Sequence, residues 1–242
     1  MLVSRVHFWS DLWQSYAILS EKGFLPMNYI QRQSTLVRDR QISLVLDIGA
    51  NRGQYGRFLR DNIGYQGRIV SFEPLHDAFG LLKNTAASDP LWECHNNAFG
   101  DVNGTATINV SANSHSSSLL PVSARTLEIE PSVSYVGTQE VAVYRLDAVL
   151  DQFARPSDRI FLKVDTQGYE LKILDGALGV INRFVLIQLE TSFFEVYQGE
   201  TLIGDMIKYL DYIGYRVVSI EPGWENPATG ELLQADVIFG RK

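Results

Sequence analysis

The residues that most invite chemistry stand in the segment 46–53, which reads Leu46, Asp47, Ile48, Gly49, Ala50, Asn51, Arg52, Gly53. Glycine permits positive φ and lets backbone approach a ligand closely. Asparagine is among the few other residues that tolerate a left-handed conformation. Gly49, Asn51 and Gly53 therefore make a turn able to wrap a small molecule. It is not the dinucleotide pattern G-x-G-x-x-G, because Asn51 stands at its second glycine, and the chain has no G-K-[ST] phosphate loop. Asp47 at this place would repel a pyrophosphate and suits a cation. Further along, Glu73 precedes Pro74, and a carboxylate there can accept both hydroxyls of a ribose. The plain alternatives are a turn that merely needs glycines and a surface glutamate before a proline.

A ligand with an ammonium, a sulfonium and a ribose but no phosphate meets these conditions, and S-adenosylmethionine is such a ligand. Asp101 follows in the run Asn97, Ala98, Phe99, Gly100, Asp101, where its carboxylate or a neighbouring backbone group can meet the adenine amine; a loop cap is the other reading. Asp165 lies in a second apolar run that ends in an acid and a turn, Phe161 to Gly168. Methyl transfer needs the acceptor aligned and, for an alcohol, its proton removed. Asp165 suits that base, or it orients a substrate, or it caps a helix. Glu190, in Gln188, Leu189, Glu190, Thr191, faces the same cleft from the next strand. His115, in the Ser/Asn-rich stretch 111–118, is a further candidate base. Paired acids can also hold a divalent ion, though nothing in the sequence indicates a metal.

Presenting these residues requires an α/β scaffold. Short apolar runs predict strands at 43–48, 68–72, 91–95, 160–164, 184–189, 215–220 and 235–239. Helices are expected at 53–62, 76–87, 169–178 and 201–213. Alternating strands and helices imply a parallel sheet with right-handed crossovers, and the last two strands suggest a hairpin at its edge. Residues 97–158 break the rhythm as a partly mobile excursion on the substrate side, with strand-like stretches at 105–110 and 140–144. The main domain spans 41–242. Residues 1–40 form an N-terminal helical extension: a helix over 5–20 ended by Gly23 and Pro26, then a polar connection or short helix at 28–40. Its aromatic stripe, Phe8, Trp9, Trp13 and Tyr16, suits packing on the domain. A membrane-surface contact or a homo-oligomer through this helix is the alternative.

The 242 residues are 45% hydrophobic and 20% charged, enough for a sizeable core. The net charge of −7 argues against non-specific nucleic-acid binding, which rests on Lys and Arg. Cys94 alone excludes an internal disulfide, and no Cys/His cluster has zinc spacing. No uncharged apolar run reaches membrane-spanning length, and the N-terminus lacks signal-peptide features. The expected setting is the cytoplasm.

With these motifs together and in order, the chain resembles the FkbM methyltransferase family. The matching residues are 45–53, 72–74, 97–101, 145–147, 162–170, 174–177 and 188–190, within a similarity covering roughly 44–240. The resemblance implies a class I methyltransferase fold, Rossmann-like, with a seven-stranded, mostly parallel sheet and an antiparallel last strand. It implies S-adenosylmethionine bound by the turn at 47–53 and by Glu73. It also implies O-methylation, with acceptors among sugars of glycolipids, polysaccharides and Nod-factor-like oligosaccharides, and among polyketide macrocycles. Where the family commonly has an acid, this chain has Gln167, so no metal or acid role carries over to that position. The leading expectation is methylation of a saccharide hydroxyl. The alternatives are a polyketide or other small-molecule hydroxyl, and a non-catalytic nucleotide-binding module.

Overall fold

A computed structural model describes residues 27–242. The helix expected at 5–20, its aromatic stripe and the homo-oligomer contact built on it lie outside the described residues. The stretch at 28–40 is helix α1 (Tyr29–Asp39), started by a capping box in which Asn28 and Gln31 bond each other's backbone amides.

The predicted alternation is present. Strand β1 (Leu44–Ile48) leads through the glycine turn to α2 (Gln54–Phe58), which continues as a π-helical turn over Leu59–Ile63. Then come β2 (Arg68–Phe72), α3 (His76–Ala86) and β3 (Trp92–His95). The excursion holds β4 (Ala98–Phe99), β5 (Gly104–Ser111), α4 (Ala124–Ile129), β6 (Tyr135–Tyr144) and α5 (Leu146–Phe153). The alternation resumes with β7 (Ile160–Val164), α6 (Glu170–Asp175), β8 (Phe184–Ser192) and α7 (Ile203–Tyr212), and ends with β9 (Tyr215–Pro222) and β10 (Gln234–Arg241).

The main sheet has seven strands in the order β3-β2-β1-β7-β8-β10-β9, with β10 antiparallel to both neighbours. The closing hairpin is therefore folded inward: β10 pairs with β8, and β9 forms the edge. Both β1 and β7 are buried throughout, as continuous apolar runs covered on both faces should be. Leu46, Ile48, Leu162 and Val164 face α5, α6 and α7, while Val45, Ile69, Phe161 and Leu186 face α1 to α3.

The excursion is more regular than expected. Strands β4, β6 and β5 form a separate three-stranded sheet. The stretch 111–118, expected to be partly mobile, is hydrogen-bonded within itself through Asn113, Ser116 and Ser117, and Ser118 is buried. Helix α5 is an element the strand-based reading passed over. Its Leu146, Val149, Leu150 and Phe153 recur at helical spacing and pack on the core.

Parallel register sets a row of polar side chains across the α1/α2 face of the sheet. Cys94 pairs with Ser71, Ser71 with Asp47, Asp47 with Lys163 and Lys163 with Gln188. In-register neighbours share a face, so Asp47 and Lys163 are brought together by strand pairing alone.

Candidate functional site

The carboxyl ends of β1, β2, β7 and β8 open onto a cavity of about 220 Å³, as expected of ligand sites in open α/β sheets. Gly49, Asn51, Glu73, His115, Asp165 and Glu190 all line it. Two further cavities adjoin it. One, of about 350 Å³, lies toward α1 and α2 beside Tyr55, Lys163 and Asp236. The other, of about 270 Å³, lies toward Thr126, Ser132 and Trp224. His115, exposed on the serine-rich stretch, borders all three.

The turn after β1 is built for close approach. Gly49 has φ +80°, and a Cβ there would stand 1.8 Å from the Asp165 carbonyl oxygen, so the β1 and β7 tips touch only because this residue has no side chain. Asn51 adopts φ +47°, and its backbone amide donates to Glu73 Oε2 at 2.8 Å. Glu73 Oε1 accepts from the Leu75 amide, also at 2.8 Å. The carboxyl is thus held at the cavity wall with acceptor capacity to spare. Burial raises its pKa to about 7, against the pull of the Leu75 and Asn51 amides. Asn51 Oδ1 is buried and has no hydrogen-bond partner among the described residues.

Three of the expected cofactor contacts are placed differently. Asp47 is fully buried and does not line the first cavity. Its carboxylate lies beneath the turn, 3.3 Å from Lys163 Nζ, and accepts from Ser71 Oγ. The alternating pleat puts Asp47 on the α1/α2 face, and only the turn beyond it reaches the cavity. Gly53, with φ +88°, packs against Leu82, Thr85 and Trp92, so it serves the chain reversal into α2. Asp101 bonds Lys172 Nζ at 2.8 Å, a contact that holds its pKa low. Asn97, Ala98 and Phe99 line the cavity in its stead.

Asp165 and Glu190 do meet. Asp165 caps no helix, since α6 begins only at Glu170. Its Oδ2 lies 3.3 Å from Lys163 Nζ, and its Oδ1 accepts from Gln167 Nε2 at 2.9 Å. Glu190 Oε2 accepts from the same Gln167 nitrogen at 2.7 Å and from Gln234 Nε2 at 3.1 Å. Burial, then the charges of Asp165, Asp236 and Glu170, push the Glu190 carboxyl well above the usual carboxylate range. The second cavity holds another such acid: burial and the Asp165 charge raise Asp236 to about 6. Lys163, sunk in an apolar strand, serves both Asp47 and Asp165. Burial opposes its charge, but Asp165, Asp47 and Asp236 together lift its pKa above the ordinary lysine value.

Lys163, Gln167, Gln234 and Tyr197 are site residues that the sequence reading did not single out as such. Lys163 was the detectable one, as the only charged residue within its strand and directly opposite Asp47. Gln234 and Tyr197 come from distant segments that only the fold joins to the acids. Among the described residues, no group of three or more His, Cys, Asp or Glu is set to hold a metal ion, and no helix is long and apolar enough to cross a membrane.

The loop from Asp165 to Glu170 is shaped from below by Glu170, whose Oε1 accepts from Thr166 N, Thr166 Oγ1 and Gly168 N. Burial raises Glu170 to about 7 from 4.5. A raised carboxyl binds its proton more tightly when folded, so its contribution to stability is full below about pH 4.5 and lost as pH climbs through 7. Glu170→Gln keeps an acceptor oxygen and removes this loss. Urea unfolding should show the variant gaining on the native chain between pH 5 and 8.5, by up to about 3 kcal/mol. Parallel pH curves for the two proteins would refute the assignment.

Comparison with known proteins follows the same lines. Residues 47–217 match the model of the Methyltransferase FkbM domain. No protein of curated function matches the sequence. Among solved structures, the chain is similar to methyltransferase FkbM from Methylobacillus flagellatus KT, with 16% identity and a TM-score of 0.46 over 81% of this chain and 43% of that one. It thus spans less than half the length of that protein. An rRNA methylase from Streptococcus thermophilus gives 9% identity and a TM-score of 0.48, covering 90% of this chain and 98% of that one. TehB from Haemophilus influenzae gives 9% and 0.48, over 94% and 67%.

Proposed function

Because the chain belongs to the FkbM methyltransferase family, we propose that it transfers the methyl group of S-adenosylmethionine to a hydroxyl of a sugar, oligosaccharide or glycolipid. The observation that carries this reading is the lining of the first cavity, which runs from Glu73 past Gly49 to Asp165 and Glu190. The donors and acceptors present fit the cofactor. Glu73 offers acceptors to a ribose diol, the buried Asn51 Oδ1, without a partner among the described residues, offers one to an ammonium, and Ala98 and Phe99 offer an apolar face to a purine. When bound, S-adenosylmethionine supplies an electrophilic methyl carbon on a sulfonium, and its thioether leaves neutral.

The chain's own residues manage the acceptor. Asp165 takes the hydroxyl proton as the new oxygen–carbon bond forms. Glu190, bonded to the same Gln167 amide as Asp165, orients the acceptor. The third cavity supports a saccharide over a macrolide: Asn113, Ser116, Thr126, Ser132, Gln234 and Trp224 all line it, a mostly polar lining with one aromatic that suits a polyhydroxylated ring. Incubation with methyl-labelled cofactor and a panel of saccharides and macrolides tests the reading. Label in a saccharide arm is expected. Label only in a macrolide arm favours the small-molecule alternative. Cofactor binding without transfer to any acceptor favours the non-catalytic one.

Glu73 gives the cofactor site a pH dependence. With its pKa near 7, acidification protonates it and removes an acceptor that the ribose needs. The affinity for S-adenosylhomocysteine should fall by about tenfold between pH 8 and 6. Glu73→Gln should bind more weakly at pH 8 and show little further change. Titrations of the two proteins that run parallel across this range would rule Glu73 out as the diol partner.

A further inference from the structure

Gln167 occupies an unusual position for a residue outside the expected catalytic set. It has φ +60°, and Gly168 after it has φ +94°. A non-glycine residue in the left-handed region is strained, and such strain persists where surrounding contacts over-determine it. Of the four non-glycine residues with positive φ among those described, Asn51, Ser114 and Gln167 all line the first cavity.

The contacts that hold Gln167 use every polar atom of its side chain. Its Nε2 donates to Asp165 Oδ1 at 2.9 Å and to Glu190 Oε2 at 2.7 Å. Its Oε1 accepts from the Tyr197 hydroxyl at 2.6 Å, and its carbonyl accepts from Ser118 Oγ at 2.6 Å. The direction of the amide is fixed by these partners. Turned over, it would aim an oxygen at two carboxyl groups and leave the Tyr197 proton facing an N–H. A carboxylate in its place would have no proton to offer either acid. Gln167 also borders both the first and the third cavity, so it stands where an acceptor in one meets a donor in the other.

We propose that Gln167 is a positioning residue: its amide, aimed by Tyr197, clamps the Asp165 and Glu190 carboxyls to one nitrogen and presents the acceptor hydroxyl with a single arrangement of the two acids. The inference rests on the functional reading above. It makes Tyr197, buried behind the amide, part of the same device.

Proton affinity at Glu190 reads the clamp without needing an acceptor. Glu190 is faced by Asp165 and Lys163 from β7 and its tip, Asp236 from β10, Glu170 from α6, and Tyr197 from the loop after β8. Removing two N–H donors from this set leaves the other charges in place. Carboxyl-labelled glutamate, with Glu190 assigned by loss of its signal in Glu190→Gln, is titrated by NMR in the full chain and in Gln167→Met, Gln167→Glu and Tyr197→Phe. Gln167→Met fills the same space without donors. It should raise the proton affinity of Glu190 by about tenfold or more, and Gln167→Glu should raise it further. Tyr197→Phe should move it the same way by less, and it keeps the proposal testable if the Gln167 variants fail to fold. A Glu190 titration in Gln167→Met that superimposes on the native one, with only the melting temperature lowered, would mean that Gln167 merely fills space. Calorimetry with S-adenosylhomocysteine on the same samples separates the two failures. A native chain that does not bind it overturns the functional reading, whereas an unmoved Glu190 in a chain that does bind overturns the clamp.

Discussion

Asp165→Asn should lower the rate of methyl transfer by about 10²–10⁴-fold, the usual contribution of a positioned general base, with little change in S-adenosylhomocysteine affinity. An alcohol holds its proton far too tightly to lose it unaided at neutral pH, so the acceptor oxygen becomes a nucleophile only as a base takes that proton. Three candidates line the cavity: His115, Asp165 and Glu190. Glu190 is buried beside other acids, which pushes its carboxyl well above the usual carboxylate range and disfavours the ionised form that a base needs. His115 sits exposed on the serine-rich stretch, and among the described residues only its backbone amide is hydrogen-bonded, to Asn113. Asp165 is ion-paired to Lys163 and steadied by Gln167. Asparagine preserves its shape and an acceptor for the Gln167 amide, which is why the cofactor half should survive the exchange. Measured turnover of Asp165→Asn near the native value, with His115→Ala strongly impaired, would transfer the base role to His115.

Lys163→Met should destabilise the fold by about 3–5 kcal/mol, the penalty for leaving a buried charge without its partner. Asp47 has no exposed surface. Among the described residues, its only cationic neighbour is the Lys163 ammonium at 3.3 Å, with Ser71 as its one hydrogen-bond donor. Without the lysine, a buried carboxylate is left with no counter-ion and draws water into the layer beneath α1 and α2. Combining Lys163→Met with Asp47→Asn should restore most of the loss, because an uncharged amide at 47 has no missing counter-ion. Urea unfolding of the single and double variants checks this. A single variant within about 1 kcal/mol of native, as for an exposed pair, would show that the interior there is wet and the pairing dispensable.

Much of the scaffold was legible because buried parallel strands write themselves as short apolar runs. The runs around Val45, Val70, Leu162 and Ile187 gave four central strands with small boundary shifts. The turn at Gly49 and the acids at strand ends located the cleft. The rest was not legible, for physical reasons. The periodicity of α5 was present in Leu146 to Phe153 but sat inside a stretch read as strands and loops. Asp47 lies near the turn in sequence, yet the pleat sets its carboxylate beside Lys163 on the α1/α2 face. Asp101 follows its strand closely, but the loop turns its carboxylate to Lys172, a partner 71 positions away. The contacts of Gln167 with Tyr197 and Glu190, and of Glu190 with Gln234, join segments that no local pattern relates.

Every role proposed for these residues requires S-adenosylmethionine to bind in the cavity between Glu73 and Asp165. Calorimetric titration of the cofactor into the native chain and into Glu73→Ala tests it most directly. The predicted result is a single saturable site in the native chain, weakened by about tenfold or more in the variant, as expected for loss of a hydrogen bond to a charged group, with both proteins folded. No saturable binding to the native chain, or equal binding to both proteins, would contradict it.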